Sequence, residues 1–347
     1  MQPPHDAHLR PLSLERGELS RIGPRLRVIL QLGASVAVLA FLISRLDWQR
    51  SIALIRSAES LLLVGVVAIQ TADRVLMALK WHQLLRVLDD RFGRWSAIRV
   101  YYESTFVGFA LPLGGLGSDI VRFVRLRGQG VNRHVALASM ITERLNGVVA
   151  TLAIIVVGLG ILTWLAPQPA LRQFALVSTL GAAGVGAISG VLIFYPALSR
   201  RLVRWVGLRA ALQSERFAKY IEAARAYSAR RLTLAINLAL SVIEQTAPVF
   251  TLWVASHALG VNLPWTVCLA VAPVSILIQR LPLTYAGLGL REGSAAALLV
   301  ALGYDYSEAL VVMMTLFVMF LITLLPGAVM LAVSGRPQIE SPRSPES

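Results

Sequence analysis

Six stretches of this chain approach or exceed the length of apolar helix needed to cross a lipid bilayer, and this limits the fold more than any other feature. A crossing takes roughly 20 predominantly apolar residues. The stretches are 26–44, 61–80, 145–166, 174–195, 232–255 and 309–333. Inside hydrocarbon every backbone N–H and C=O must be satisfied within the segment, so these runs are expected to be helices. Composition agrees: charged residues are 15% of the 347 and hydrophobic ones 56%, whereas a soluble domain carries about 25% charge. Disorder, a secreted disulfide scaffold and an ordinary cytosolic enzyme are excluded. The single cysteine, Cys268, permits neither an internal disulfide nor a cysteine-based metal site. The expected fold is an all-α polytopic membrane protein.

Charge sets the expected orientation. Basic residues number 33 and acidic ones 19, a formal excess of +14, and nearly all are Arg, with Lys only at 80 and 219. Cytoplasmic loops collect Lys and Arg, so the excess is read as membrane topology and not as a nucleic-acid footprint. Segments 80–99 and 196–231 are strongly basic, whereas 167–173, 256–264 and 304–308 share only Arg172. The first group is expected in the cytoplasm and the second outside. Both termini then face the cytoplasm of a multi-pass inner (plasma) membrane protein. Residues 1–25 read as a polar tail and 26–333 as the transmembrane domain. Within it, 196–231 reads as a basic helical segment on the inner leaflet. The Pro- and Ser-rich 334–347 reads as a disordered tail.

Two apolar runs, 98–111 and 265–281, are too short to cross comfortably. Each ends in Leu-Pro-Leu and then Gly-Leu-Gly, at 111–117 and at 281–289, with an acidic and a basic residue close behind: Asp119 and Arg122, then Arg291 and Glu292. Proline stops a helix and glycine permits close backbone approach. The charge map requires each segment to return to the side it came from, the first from the cytoplasm and the second from outside. The reading is therefore two re-entrant broken-helix hairpins in an inverted repeat, a pattern that marks binding sites in secondary transporters. Helices restarting near Asp119 and Arg291 would aim free N–H groups at an anion, with phosphate the natural ligand. A phosphate-loop enzyme is a weak alternative, since neither run fits a phosphate-loop spacing.

Charges within spans are expensive and mark candidate sites. They include Asp73, Arg74, Glu103, Glu143, Arg144, Glu244 and Arg280. Glu244, with Gln245 beside it and Pro248 just after, is the strongest candidate for a buried carboxylate. The histidines have no ligand spacing, so no metal and no cofactor is expected. Trp48, Trp81, Trp95, Trp164, Trp205 and Trp265 lie near span ends, as an aromatic belt would.

The motif Leu111-Pro112 … Gly114-Gly115-Leu116-Gly117-Ser118-Asp119 … Arg122, followed by Glu143-Arg144-Leu145-Asn146-Gly147, resembles the lysylphosphatidylglycerol synthase transmembrane-region family, or flippase-like domain proteins. Arg74 with Trp81 and Leu84-Leu85, and Leu281-Pro282 … Gly287-Leu288-Gly289-Leu290-Arg291-Glu292-Gly293, resemble its other signatures. The family includes the flippase region of the multiple peptide resistance factors. The resemblance implies translocation of an anionic or polyprenyl-phosphate-linked lipid between leaflets of a bacterial inner membrane. The alternative is a non-transporting subunit that assists a glycosyltransferase or lipid-modifying enzyme. No aminoacyltransferase domain or catalytic constellation is recognisable in the 347 residues, so enzyme activity is not expected. Membrane lipids are the expected partners, with a lipid-modifying enzyme as a further one. Arg122, Arg125, Arg280 and Arg291 would hold the head group, helped by backbone N–H groups at Gly115, Gly117, Gly287 and Gly289. Asp119, Glu143, Arg144, Glu244, Glu292, Asp73 and Arg74 would orient those arginines or move protons.

Overall fold

A computed structural model describes residues 24–110, 115–194, 227, 230–281 and 283–334. Nearly all of the expected tails, the connection 111–114 and nearly all of the basic segment 196–231 lie outside the described residues. What is described is helical. The order is α1 (Pro24–Ser44), α2 (Trp48–Arg56), α3 (Ser60–Leu88), α4 (Arg94–Ala110), α5 (Gly115–Gly128), α6 (Arg133–Leu165) and α7 (Pro169–Phe194). Then follow α8 (Arg231–Ala258), α9 (Trp265–Gln279), a 3-10 turn (Tyr285–Gly287), α10 (Leu290–Ala301) and α11 (Tyr306–Ser334). Among the described residues α3, α6, α7, α8 and α11 are each long and apolar enough to cross a membrane. The pair α1 and α2, bent by 91° at residues 45–47, makes a sixth candidate span. The protein is an all-α polytopic membrane protein.

Named contacts orient the helices. The Glu59 N–H donates to the Ala258 carbonyl at one end of the α3–α8 pair. At the other end the Asn237 amide donates to the Lys80 carbonyl, and the Tyr227 hydroxyl to that of Leu84. The two helices are therefore antiparallel. The face holding the end of α3 and the start of α8 is the basal face; the opposite one is the distal face. α6 starts basally, where Ala138 packs with Leu84 and Tyr227, and ends distally at Leu165, beside the cluster that holds Leu263. α11 starts distally, where the Tyr306 hydroxyl donates to the Leu42 carbonyl of α1 at 3.0 Å.

The two short segments fold back as expected. α4 leaves the basal face and α5 returns to it: Phe92, Leu126 and Val131 share one cluster with Trp81 and Leu85. The hairpin is tight because Gly108 has no side chain; a Cβ there would lie 2.7 Å from that of Ser118. α9 leaves the distal face, and α10 brings the chain back to it, with Leu302 packed beside Leu165. The hairpins thus penetrate from opposite faces and meet: the Tyr285 hydroxyl of the second donates to the Phe109 carbonyl at the tip of the first, at 2.9 Å. Segment 80–99, expected in the cytoplasm, lies at the basal face, and segments 256–264 and 304–308, expected outside, lie at the distal face.

Three details differ from the sequence reading. α5 begins at Gly115, four residues before Asp119, so Gly115 and Gly117 form its first turn instead of a loop ahead of it. α3 runs on to Leu88, which draws Lys80 out of the basic loop and buries it at 2% exposure. Trp81 is fully buried, unlike Trp164 at 86% exposure, so it belongs to the core and not to an interfacial belt.

Candidate functional site

The charged residues inside the bundle fall into two groups. The first, the basal cluster, lies between α4, α5 and α6. Arg122 points its guanidinium at Glu143 of α6 at 2.5 Å and at Asp119, one turn earlier on α5, at 2.7 Å. Its cationic plane also lies 5.4 Å from the Trp81 ring centre and 5.1 Å from that of Tyr101. Arg144 reaches Asp119, and Glu103 is shared by Arg125 at 2.8 Å and Arg99 at 3.1 Å. An ionised pair in a dry interior persists when further partners satisfy its donors and acceptors, and here each carboxylate faces an arginine.

The second group surrounds a cavity of about 300 Å³ where the hairpin tips meet. α3 contributes Gln70, Asp73 and Arg74; α8 contributes Glu244; the residue that caps the end of α9 is Arg280; α10 contributes Arg291 and Glu292. Phe109, Phe317 and Phe320 close the remaining wall with apolar surface. Mixed apolar walls with a few convergent polar groups are the usual form of a ligand site. Asp73, Arg74 and Gln70 sit near the middle of α3, three to four residues apart or adjacent, so a single turn presents all of them to the cavity.

Of the cavity's acids among the described residues, Glu292 and Glu244 are already engaged and Asp73 is not. Glu292 accepts the Gly289 N–H at 2.9 Å and holds Arg291 at 2.7 Å, so it caps α10 and fixes its neighbour. Glu244 pairs with the buried Lys80, whose ammonium also donates to the Ser241 hydroxyl at 2.9 Å. Two cations are left over. Arg74 meets only the Met77 sulfur at 3.6 Å and the Phe320 ring at 5.6 Å, and its Nε is buried without a partner among the described residues. Arg280 meets the Thr151 hydroxyl at 3.1 Å. Neither is ion-paired with a carboxylate among the described residues. One side-chain oxygen of Asp73 is likewise buried without a hydrogen bond among the described residues.

The turn beside it depends on glycine. Gly287 has φ of +74°, and a Cβ there would come within 2.2 Å of the Gln279 side chain and 2.6 Å of its carbonyl. Gly289 has φ of +81° and packs against Val38 of α1, facing away from the cavity.

Of the residues expected to bind or couple, Asp73, Arg74, Glu244, Arg280, Gly287, Arg291 and Glu292 come together at the cavity. Asp119, Arg122, Arg125, Glu143 and Arg144 come together in the basal cluster instead. Lys80 was not among them. Its signal was present in the sequence: it lies seven residues after Asp73, on the same helical face. Among the described residues no cluster of three His, Cys, Asp or Glu has the geometry to hold a metal ion.

Comparison with known proteins adds one match. The family described as lysylphosphatidylglycerol synthase TM region aligns with residues 28–327. No curated protein matches the chain.

Proposed function

Because the chain belongs to the lysylphosphatidylglycerol synthase TM-region family, we propose that it moves a lipid with an anionic or polyprenyl-phosphate head group between leaflets, without modifying it. One observation carries this reading: Arg74 and Arg280 face a shared cavity with no carboxylate of their own, at the point where two oppositely inserted hairpins touch. A head-group phosphate supplies the missing anion. Arg280 and Arg74 bind it as charge-assisted donors, and Arg291, held by Glu292, stands ready as a third. The aromatic wall at Phe109 and Phe320 shields the head group while acyl chains remain in lipid. The basal face is cytoplasmic in this reading, because the basic segment 80–99 adjoins it.

The test is lipid translocation by the purified protein in proteoliposomes, run with phosphatidylglycerol, phosphatidylcholine and a polyprenyl phosphate. Each charge-assisted hydrogen bond contributes about 1.5–3 kcal/mol net. Arg74→Ala and Arg280→Ala are expected to slow transfer of the preferred anionic lipid at least about tenfold. Arg280→Lys recovers only part, since Lys lacks the two-pronged fork. If wild type moves none of these lipids and instead co-purifies with a lipid-modifying enzyme, the protein is a membrane subunit.

A further inference from the structure

A second, larger space of about 980 Å³ opens on the basal face. Lys80, Arg86, Arg91, Arg94 and Arg230 line it, against Asp89 and Asp90 as the acids among the described residues. Lys80 lines this vestibule, whereas Glu244 lines the central cavity. The ion pair between them therefore spans the wall that α3 and α8 build between the two spaces. Both ends have a second tether. Lys80 donates to Ser241, and Glu244 accepts from the Gln245 amide at 3.0 Å. The helix is also weakened at this point: Pro248 has no N–H, so the Glu244 carbonyl has lost its helical donor.

We propose that the Lys80–Glu244 pair is the barrier between vestibule and cavity, and that it opens by partner exchange, a lipid head-group phosphate replacing Glu244 on the Lys80 ammonium. This rests on the translocation reading above. Exchange explains how a buried pair can part at all. Separating two buried ions leaves an uncompensated charge in a low dielectric, but an incoming phosphate keeps Lys80 paired throughout. The displaced Glu244 keeps its bond from Gln245 and turns toward the cavity, where Arg280 and Arg74 lack carboxylates. The phosphate then passes from Lys80 to those arginines, and Glu244 returns to Lys80 behind it. The excess of arginines at the vestibule concentrates anionic head groups at the barrier.

The experiment uses the full chain in sealed proteoliposomes, in a Cys268→Ala background, with Gln83→Cys in the vestibule or Thr251→Cys in the cavity. An impermeant thiol reagent is presented at the basal face. Gln83→Cys is expected to react in any lipid. Thr251→Cys is expected to react at least tenfold faster in vesicles containing phosphatidylglycerol than in phosphatidylcholine alone. Inorganic phosphate added to phosphatidylcholine vesicles should not reproduce the increase; if it does, the lipid is not the exchange partner. Equal labelling of Thr251→Cys in all lipids overturns the barrier. A second variant, Lys80→Glu with Glu244→Lys, restores the pair in reverse. If the pair only holds the fold, this swap translocates like wild type. Partner exchange instead predicts a melting temperature near that of wild type with at least tenfold slower transfer, since a carboxylate now confronts the phosphate. Should the swap fail to fold, the labelling result decides alone. Lipid-dependent labelling without any lipid movement removes the translocation reading and leaves the barrier; lipid movement with lipid-independent labelling removes the barrier alone.

Discussion

On the α4–α5 hairpin Arg122 meets two carboxylates, at 2.5 and 2.7 Å, and lies over two aromatic rings. On the α9–α10 hairpin Arg280 meets a single hydroxyl at 3.1 Å. The two hairpins share a Leu-Pro-Leu and Gly-Leu-Gly signature and penetrate from opposite faces, yet these two arginines stand in contrasting environments, while Arg291 of the second hairpin is paired with Glu292 at 2.7 Å. A guanidinium surrounded by carboxylates has its charge answered within the fold, and an added phosphate would meet two anions. One that faces a cavity with no carboxylate of its own has its charge unanswered, and an anion entering there gains attraction without displacing a partner. The basal cluster therefore reads as the clamp that holds the first hairpin against α6, and the central cavity as the site proposed above for the lipid head group.

The largest expected effect tests the clamp. Arg122→Ala leaves the buried Glu143 and the partly buried Asp119 with one fewer cation, and removal of one partner from a buried pair destabilises by about 3–5 kcal/mol. Thermal unfolding in detergent should show a clear fall in melting temperature. A variant that melts like wild type but no longer binds lipid would make Arg122 a ligand residue and erase the contrast between the hairpins.

Arg280→Ala should behave in the opposite way. Stability changes little, because only one hydroxyl contact is lost, while lipid binding weakens by about 1.5–3 kcal/mol, tenfold or more. Binding of phosphatidylglycerol to the purified protein reads this directly. Loss of fold without a change in affinity per folded molecule would count against the cavity.

Gly287→Ala sharpens the second hairpin's side of the comparison. The new methyl would meet Gln279 in a left-handed backbone conformation, and strain of this kind costs about 1–3 kcal/mol. Gly130 also has a positive φ, +80°, but nothing lies within 4 Å of its Cβ position. Gly130→Ala should therefore lower the melting temperature less than Gly287→Ala. Equal effects would mean that backbone conformation, not the close approach to Gln279, sets the requirement for glycine.

The smallest effect is expected at Arg50. It bridges Asp305 at 3.2 Å and Glu308 at 2.5 Å on the distal face, and both partners are partly open to solvent. Exposed pairs of this kind contribute little. Arg50→Gln should leave melting temperature and lipid transfer within error of wild type, which makes it the control for a generic loss of positive charge.

Run length, charge bias and the placement of Pro and Gly are local properties, so the sequence by itself determined the six candidate spans, the two faces of the bundle and the two points where short helices break. A bilayer enforces this: a segment of about 20 apolar residues has only one economical way to satisfy its backbone. The aspartate and glutamate of spans 61–80 and 232–255 likewise stood out as sites, because charge in an apolar run is conspicuous wherever it occurs. Which charge answers which was decided only by tertiary packing. Lys80 and Glu244 lie 164 positions apart, and Arg122 and Glu143 lie 21 apart, on different helices. No local pattern links them, since partnership depends on how α3 meets α8 and how α5 meets α6. The same packing buries Lys80, which the sequence had left at the edge of a basic loop, and gathers Arg74, Arg280 and Arg291 from three helices around one cavity while it encloses Arg122 and Arg125 in another cluster. A binding site inside a membrane is a balance of charges over a few ångströms, and only the folded chain brings those charges within that range.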